Sequence, residues 1–573
     1  MTLQRRGKWL TRLWLTRLCM CTMFATSYVG LGSGLDSSLL KGQDWVPDPT
    51  MQATAKLIDE KTQRAHIRFL ADDLLEGRGP ASRGDKLAQA YLATQFEMLG
   101  LKPAGTDGRW YQDVPLVGVT TQFPPQIQFT HGAKNVTLNF RDDYIATNGL
   151  ATDISNLTDA EVVFVGYGIV APEYQWDDYK GVDLRGKVLL MMNNDPADDP
   201  NMFEGKKRLY YGRWDYKYDS AARQGAAGAI IIHTTPSAGY PFKVIQTSWT
   251  GEQFELAKTT GPRLAMRGWV SDEAARKICD VSGLDLDELR KQAESRDFKP
   301  VSLGSKLSIQ LKSIVRQQDT ANVLGVLEGS DPKLKEEAVV VMAHHDHLGL
   351  AAARNEKGDN IYNGAIDNAS GTASLLNIAK AITMLPERPK RTILFAAVGA
   401  EEQGLLGSKF FAENPTWPVD KMAAVVNIDG MNFLGRSKDI NVIGLGKSEL
   451  DEVLGKIAKW QKRVLTPDHF PDRGYYYRSD QFSLAKVGVP GIYLHSGLAI
   501  VGKPEGWGKE QTDAWVEEHY HQPSDEYRQD WDLSGAIEDN QLLFYATCEI
   551  ANQPKMPQWT PGDEFEAARK KNQ

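Results

Sequence analysis

The sequence predicts an α/β fold: a mixed, largely parallel central sheet flanked by helices, interrupted by an inserted β-rich module. Three observations carry this expectation. From about residue 320, short apolar runs alternate with helical patterns of 10–15 residues, the rhythm of a parallel sheet. Several of those runs stop abruptly at acids or imidazoles, as strands do when they deliver polar groups at their C-terminal ends. Between about 155 and 300 the pattern instead reads as a compact β-rich block.

Taken in order, residues 53–101 read as helical, with Leu87, Tyr91, Leu92, Phe96 and Leu99 at helical spacing and Gly100 as a stop. A strand-rich stretch containing Pro124 and Pro125 runs to about 150, so that 50–150 forms the first part of the main domain. Within the 155–300 block, 162–165 and 188–192 are short β runs, 220–228 is helix-like and 229–233 is another strand. The main part of the domain spans 315–555, with strands at 338–342, 392–397, 423–427, 440–443 and 489–494. Its clearest helices are 371–385, 448–462 and 534–552, and 556–573 is a C-terminal tail.

At 573 residues the chain exceeds one ordinary domain. Its net charge of −8, with no basic stripe, argues against a nucleic-acid partner. No apolar run after the N-terminus approaches a membrane span. Residues 1–34 carry Arg5, Arg6, Lys8, Arg12 and Arg17, no acid, and then a mildly apolar stretch, the organisation of an export signal or N-terminal anchor. Neither Cys19 nor Cys21 follows a small residue, which argues against a lipid attachment site. The remaining cysteines, Cys279 and Cys548, make no disulfide framework. The expected location is the periplasm or the cell exterior.

Two phosphate-binding lookalikes fail. Gly166-Tyr167-Gly168-Ile169-Val170-Ala171 follows a strand, but Pro172 stands where a helix must begin, so a turn is expected. Gly446-Lys447-Ser448 lacks the upstream glycine of a phosphate loop, and Ser448 suits a helix cap. No Gly-x-Ser-x-Gly elbow and no His-Glu-x-x-His helix occurs, which removes the carriers of serine-hydrolase and single-zinc protease chemistry.

Five sites after residue 337 share one design. Ala343-His344-His345-Asp346-His347 ends the run 338–342, and seven of the ten histidines lie from His344 onward. Asp367 lies in Asn363-Gly364-Ala365-Ile366-Asp367-Asn368-Ala369-Ser370-Gly371, Glu401 and Glu402 follow 392–399, Asp429 follows 423–427, and His521 lies in His519-Tyr520-His521-Gln522-Pro523-Ser524-Asp525. Singly, these fit a helix cap, a solvated turn and a surface histidine. Together, two histidines and three carboxylates suit two zinc ions, since catalytic zinc takes N and O donors whereas structural zinc favours cysteines. One carboxylate suffices to bridge the ions, and a fourth, adjacent in sequence to a ligand, is free to act as general base.

These motifs resemble peptidase family M28, the co-catalytic dizinc aminopeptidases with a zinc-exopeptidase (phosphorylase/hydrolase-like) fold, over roughly 50–555. The closest likeness is to bacterial members with a signal peptide and an inserted protease-associated (PA) domain. Ala-His-x-Asp-His-Leu-Gly, Asn-Gly-Ala-x-Asp-Asn-Ala-Ser-Gly, Ala-Glu-Glu-x-Gly-Leu-x-Gly-Ser, Asn-x-Asp-Gly and His-x-Pro-x-Asp all occur in order. The resemblance implies that His344 and Asp429 bind one zinc, Glu402 and His521 the other, and Asp367 bridges them. It implies Glu401 as the general base, Asp346 as acceptor of the His344 imidazole N–H, and a cis peptide at Asp367–Asn368. Of Tyr475, Tyr476 and Tyr477, register with Ser479-Asp480 favours Tyr476 as the phenol that stabilises the oxyanion. His345 and Ile366 depart from the family pattern at non-ligand positions, and His345, His347 and His519 are expected in supporting roles. The PA resemblance of 155–300, carried by Gly186-Lys187-Val188 and Gly225-Ala226-Ala227-Gly228, implies a cover over the cleft.

The expected function is therefore an exported dizinc aminopeptidase acting on peptides. A carboxypeptidase or dipeptidase of the same family is the alternative, followed by a glutaminyl-cyclase-like acyltransferase with one zinc. A non-catalytic receptor ectodomain is disfavoured because all five ligand positions and the base are present. The ligand set also admits cobalt or manganese.

Overall fold

A computed structural model describes residues 45–572 except 198 and 352. The N-terminal segment on which export rests lies outside the described residues. Strand Ala338–His344 sits at the middle of the central sheet, parallel to Thr392–Val398 on one side and Met422–Asn427 on the other. Gly491–His495 continues the parallel run beyond Met422–Asn427. The margins reverse: Val301–Leu327 pairs antiparallel with Thr392–Val398, and Asp439–Val442 antiparallel with Gly491–His495. The sheet is mixed with a parallel centre.

Alternate residues of the central strands enter two different cores. Val339, Val341 and Ala343 pack under helices Gly371–Thr383, Leu450–Trp460 and Ser534–Asn552. Val340 and Met342 pack on the other face with Phe411 and Leu484, from helices Leu406–Glu413 and Gln481–Lys486. Burial on both faces is why the strand reads as an unbroken apolar run rather than an alternating one.

The β-rich part holds strands Val188–Met192, Gly228–His233 and Met266–Ser271 in parallel, joined to Ile154–Phe164. Residues outside 155–300 complete it: Tyr144–Asn148 pairs with Met266–Ser271, and the start of Val301–Leu327 pairs with Ile154–Phe164. That 27-residue strand runs on to pair with Tyr111–Gln122 and then Thr392–Val398, tying the β-rich part to the central sheet. Its first half alternates buried Leu303, Leu307, Ile309 and Leu311 with exposed polar residues.

Three local expectations change. The helix assigned to 220–228 is Trp214–Arg223, and Gly225 (φ +73°) stands just beyond its end, where a left-handed residue stops a helix. The helical stretch 53–101 is three helices, Pro49–Ala55, Glu60–Leu70 and Arg83–Met98, broken by a tight turn at Asp73–Arg78. Gly77 in that turn (φ +68°) lies so close to the Gly349 and Tyr362 carbonyls that a Cβ would stand 2.5 Å from each. The tail is built into the core, with Trp559 donating to the Gly488 carbonyl and Arg569 to that of Met422, each at 2.9 Å.

Candidate metal centre

Parallel strands bring their C-terminal ends to one sheet edge, and register decides which residues meet there. His344 is level with Val398, and Met342 with Asn427, which leaves Asp429 level with His344. Glu401 and Glu402 lie in the turn that follows Val398. Asp367 lies in the turn Ala365–Ser370 before helix Gly371–Thr383, and its peptide bond to Asn368 is cis. His521 follows helix Trp507–Glu518 with φ +56°, an uncommon value for a non-glycine residue.

The six residues singled out as ligands and base converge. His344 Nε2 is 3.4 Å from Asp429 Oδ1, 3.4 Å from Asp367 Oδ1 and 3.9 Å from Glu401 Oε2. His521 Nε2 is 3.3 Å from Asp367 Oδ2 and 3.0 Å from Glu402 Oε2. The two oxygens of Asp367 thus face two separate donor groups. Ligands at ~2.0–2.1 Å from one tetrahedral zinc stand roughly 3.3–3.4 Å apart, so the donor set and spacing fit two such ions. The geometry defines two candidate metal clusters sharing Asp367, one with His344 and Asp429, the other with His347 and Glu402. His347 therefore lies closer to the centre than expected, its Nδ1 2.5 Å from Glu402 Oε1.

Electrostatics point the same way. Burial opposes charge on His521, but Glu402 and Asp367 outweigh it and raise the imidazole to about 9. Burial pushes Glu401 well above the usual carboxylate range; His344 opposes this, while Glu402, Asp429 and Asp480 add to it. Asp367 is held well below that range, since bonds to His344 and His521 override its burial. Four carboxylates in so small a buried volume call for cations.

The surrounding groups hold the centre in shape. Asp346 accepts the backbone N–H groups of Glu401 (3.0 Å) and Glu402 (3.4 Å), fixing that turn. Its distance to His344 Nδ1 is 3.7 Å, beyond a hydrogen bond, so its direct contact is with the glutamate backbone. His345 is fully buried and ties the strand end to Asp85 on helix Arg83–Met98 at 3.0 Å. His519 bonds Ser524 at 3.0 Å.

Tyr476 is not brought to the centre. Its ring stacks on Phe565 with Lys447 5.0 Å from its centroid, and its hydroxyl has no partner. Tyr475 lines the cavity beside the acids instead. Three consecutive tyrosines are chemically identical in sequence, and only the direction of the turn after Gly474 separates them.

Three positioning residues were not foreseen. Asp525 accepts the N–H groups of Ile366 (3.0 Å) and Asp367 (3.1 Å); it already closed the His-x-Pro-x-Asp motif, which was the available signal. Arg78, wholly buried, donates to the carbonyls of His345 (2.8 Å), Asn363 (2.6 Å), Gly364 (2.9 Å) and Leu70. Ser248, in the β-rich part, lies 2.8 Å from His521 Nδ1. Partners of this kind orient a ligating imidazole and are worth about 10–100-fold in metal affinity. Ser248→Ala is accordingly expected to weaken binding of one zinc equivalent by about that factor, with Ser248→Thr close to wild type. Titration against a competing chelator measures it, and equal affinities for all three proteins would refute the role.

Residues 322–545, which hold every one of these candidate ligands, match the profile of peptidase family M28. The match spans 224 of the 573 residues and includes the whole parallel centre of the sheet. The fold is similar to that of an aminopeptidase from Aneurinibacillus sp. strain AM-1, with TM-score 0.51 and 19% identity, covering 88% of this chain and 97% of that one. Curated relatives include Aminopeptidase NAALADL1 of Mus musculus, 31% identical over 28% of this chain and 21% of its own length. A Glutamate carboxypeptidase 2 homolog of Caenorhabditis elegans is 26% identical over 47% and 37%. Leucine aminopeptidase 2 of Trichophyton rubrum is 24% identical over 41% and 46%. The chain thus matches less than half the length of each of these three curated relatives. No helix of the described residues is long and apolar enough to cross a membrane.

Proposed function

We propose that the protein is an exported dizinc exopeptidase that removes N-terminal residues from peptides. The observation that carries this reading is the Asp367 carboxylate, one oxygen toward His344 and the other toward His521, with Glu401 beside the pair. His344 and Asp429 would hold one zinc and Glu402 and His521 the other, with Asp367 available to both; His347 orients Glu402. Bound there, the two ions supply Lewis-acid polarisation of the scissile carbonyl and acidify the attacking water. Glu401, its Oε2 3.9 Å from His344 Nε2, accepts the proton of that water and returns it to the leaving amine. Asp346 keeps Glu401 in place through its backbone, and Tyr475 or Tyr493 on the cavity wall supplies the phenol for the developing oxyanion.

The 155–300 region acts as a PA-like cover that also reaches the centre through Ser248, and the basic, apolar N-terminus directs export. Relatives named as aminopeptidases and as a carboxypeptidase homolog frame the choice of peptide end.

Chelation is expected to abolish turnover, and two zinc equivalents per chain to restore it. Aminoacyl-arylamides and free peptides should be cleaved and their N-acetylated forms spared. Equal rates on free and acetylated peptides would sink the aminopeptidase assignment. One equivalent of zinc together with cyclisation of N-terminal Gln would mark an acyltransferase.

A further inference from the structure

The cavity beside the acid cluster is walled by residues of both parts of the protein, and among the described residues Arg478 is the only lysine or arginine lining it. Its Nη2 donates to the Tyr520 hydroxyl at 3.0 Å. Its guanidinium carbon lies 5.2 Å from the ring centroid of Tyr240, 5.3 Å from Tyr475 and 5.9 Å from Tyr520. Among the described residues it enters no ion pair. Arg473, in the turn just before it, differs: it pairs with Asp513 at 2.7 Å.

A guanidinium has five N–H donors in a planar fork. Aromatic rings can stack on its faces without using the fork, whose edge matches a carboxylate two bonds to two. A partly desolvated cation with no acid of its own is costly to keep unless an anion meets it during function. Tyr520 joins this group to the centre, since its hydroxyl takes Arg478 and its ring stacks on His521 with centroids 3.9 Å apart. An anion on Arg478 would sit one side chain from the ligands, where the acids alone would repel it.

We propose that Arg478, framed by Tyr240, Tyr475 and Tyr520, is a carboxylate-recognition site that selects peptides bearing a carboxylate next to the scissile bond. The carboxylate is either the free C-terminus of a dipeptide or an acidic side chain. This rests on the exopeptidase reading above.

The test uses the zinc-loaded full chain with Leu-Ala, Leu-Ala-amide, Leu-Glu-amide and Glu-Ala-amide. Wild type should favour Leu-Ala over its amide if the C-terminus is read, or one of the glutamyl amides if a side chain is read. Arg478→Gln should narrow that kcat/KM ratio about 10- to 100-fold, mostly through KM, and Arg478→Lys should recover part of it. A wild type indifferent to every carboxylate overturns the proposal, as does Arg478→Gln lowering all four substrates equally.

Should no peptide be turned over, the exopeptidase reading fails first. Titration calorimetry with N-acetylglycine and N-acetylglycinamide then decides the subsite separately. Preference for the acid that is lost in Arg478→Gln upholds it, and equal binding of acid and amide overturns it.

Discussion

Glu401→Gln is expected to lower kcat by about 10²–10⁴-fold while zinc content and melting temperature stay close to wild type. The amide keeps the shape and burial of the carboxylate but cannot accept a proton. The backbone contacts that fix the turn are untouched, because Asp346 grips the N–H groups of residues 401 and 402 rather than the side chain. Glu402→Gln should behave differently, losing zinc as well as rate, since its carboxylate faces His521 at 3.0 Å. Single-turnover rates set against metal analysis separate the two. Unchanged turnover in Glu401→Gln would show that the base lies elsewhere.

Arg78→Met is expected to cost about 3–5 kcal/mol of folding stability, the scale for removing one member of a buried charged network. Four buried carbonyls lose their donor, each worth about 1–3 kcal/mol when left unmade, with partial relaxation. The cation also offsets the acids above it. Burial lowers its guanidinium to about 10, against the pull of Asp346, Asp525, Asp367 and Glu402, so it remains charged at neutral pH. Arg78→Lys keeps the charge, but one ammonium has three donors for four carbonyls, so an intermediate loss is expected. Urea melts with unchanged slope measure both variants, and a loss under about 1 kcal/mol for Arg78→Met would contradict this reading.

The two halves of this site differed in legibility. The strand ends could be read because a doubly buried parallel strand is an unbroken apolar run, and the first polar residue after it marks the sheet edge. That is why His344, Glu401 and Asp429 could be singled out. Ser248 and Arg78 could not. Ser248 is a serine at the end of a short helix, 273 residues from the histidine it touches. Arg78 sits in a Gly-rich turn inside what reads as continuous helical spacing, because periodicity records which face is apolar and is insensitive to a short break. The strand Val301–Leu327 was not singled out, because its alternating first half and its apolar second half fall on either side of the expected domain boundary between 300 and 315.

By itself the sequence determined the α/β class and the order of the polar strand ends. Both follow from local chemistry, the period of burial and the residue types that interrupt it. Tertiary structure alone decided that Tyr475 rather than Tyr476 reaches the cavity, and that the β-rich part supplies Tyr240 to its wall and Ser248 to His521. These depend on strand register and turn direction, which are set by packing between segments hundreds of residues apart.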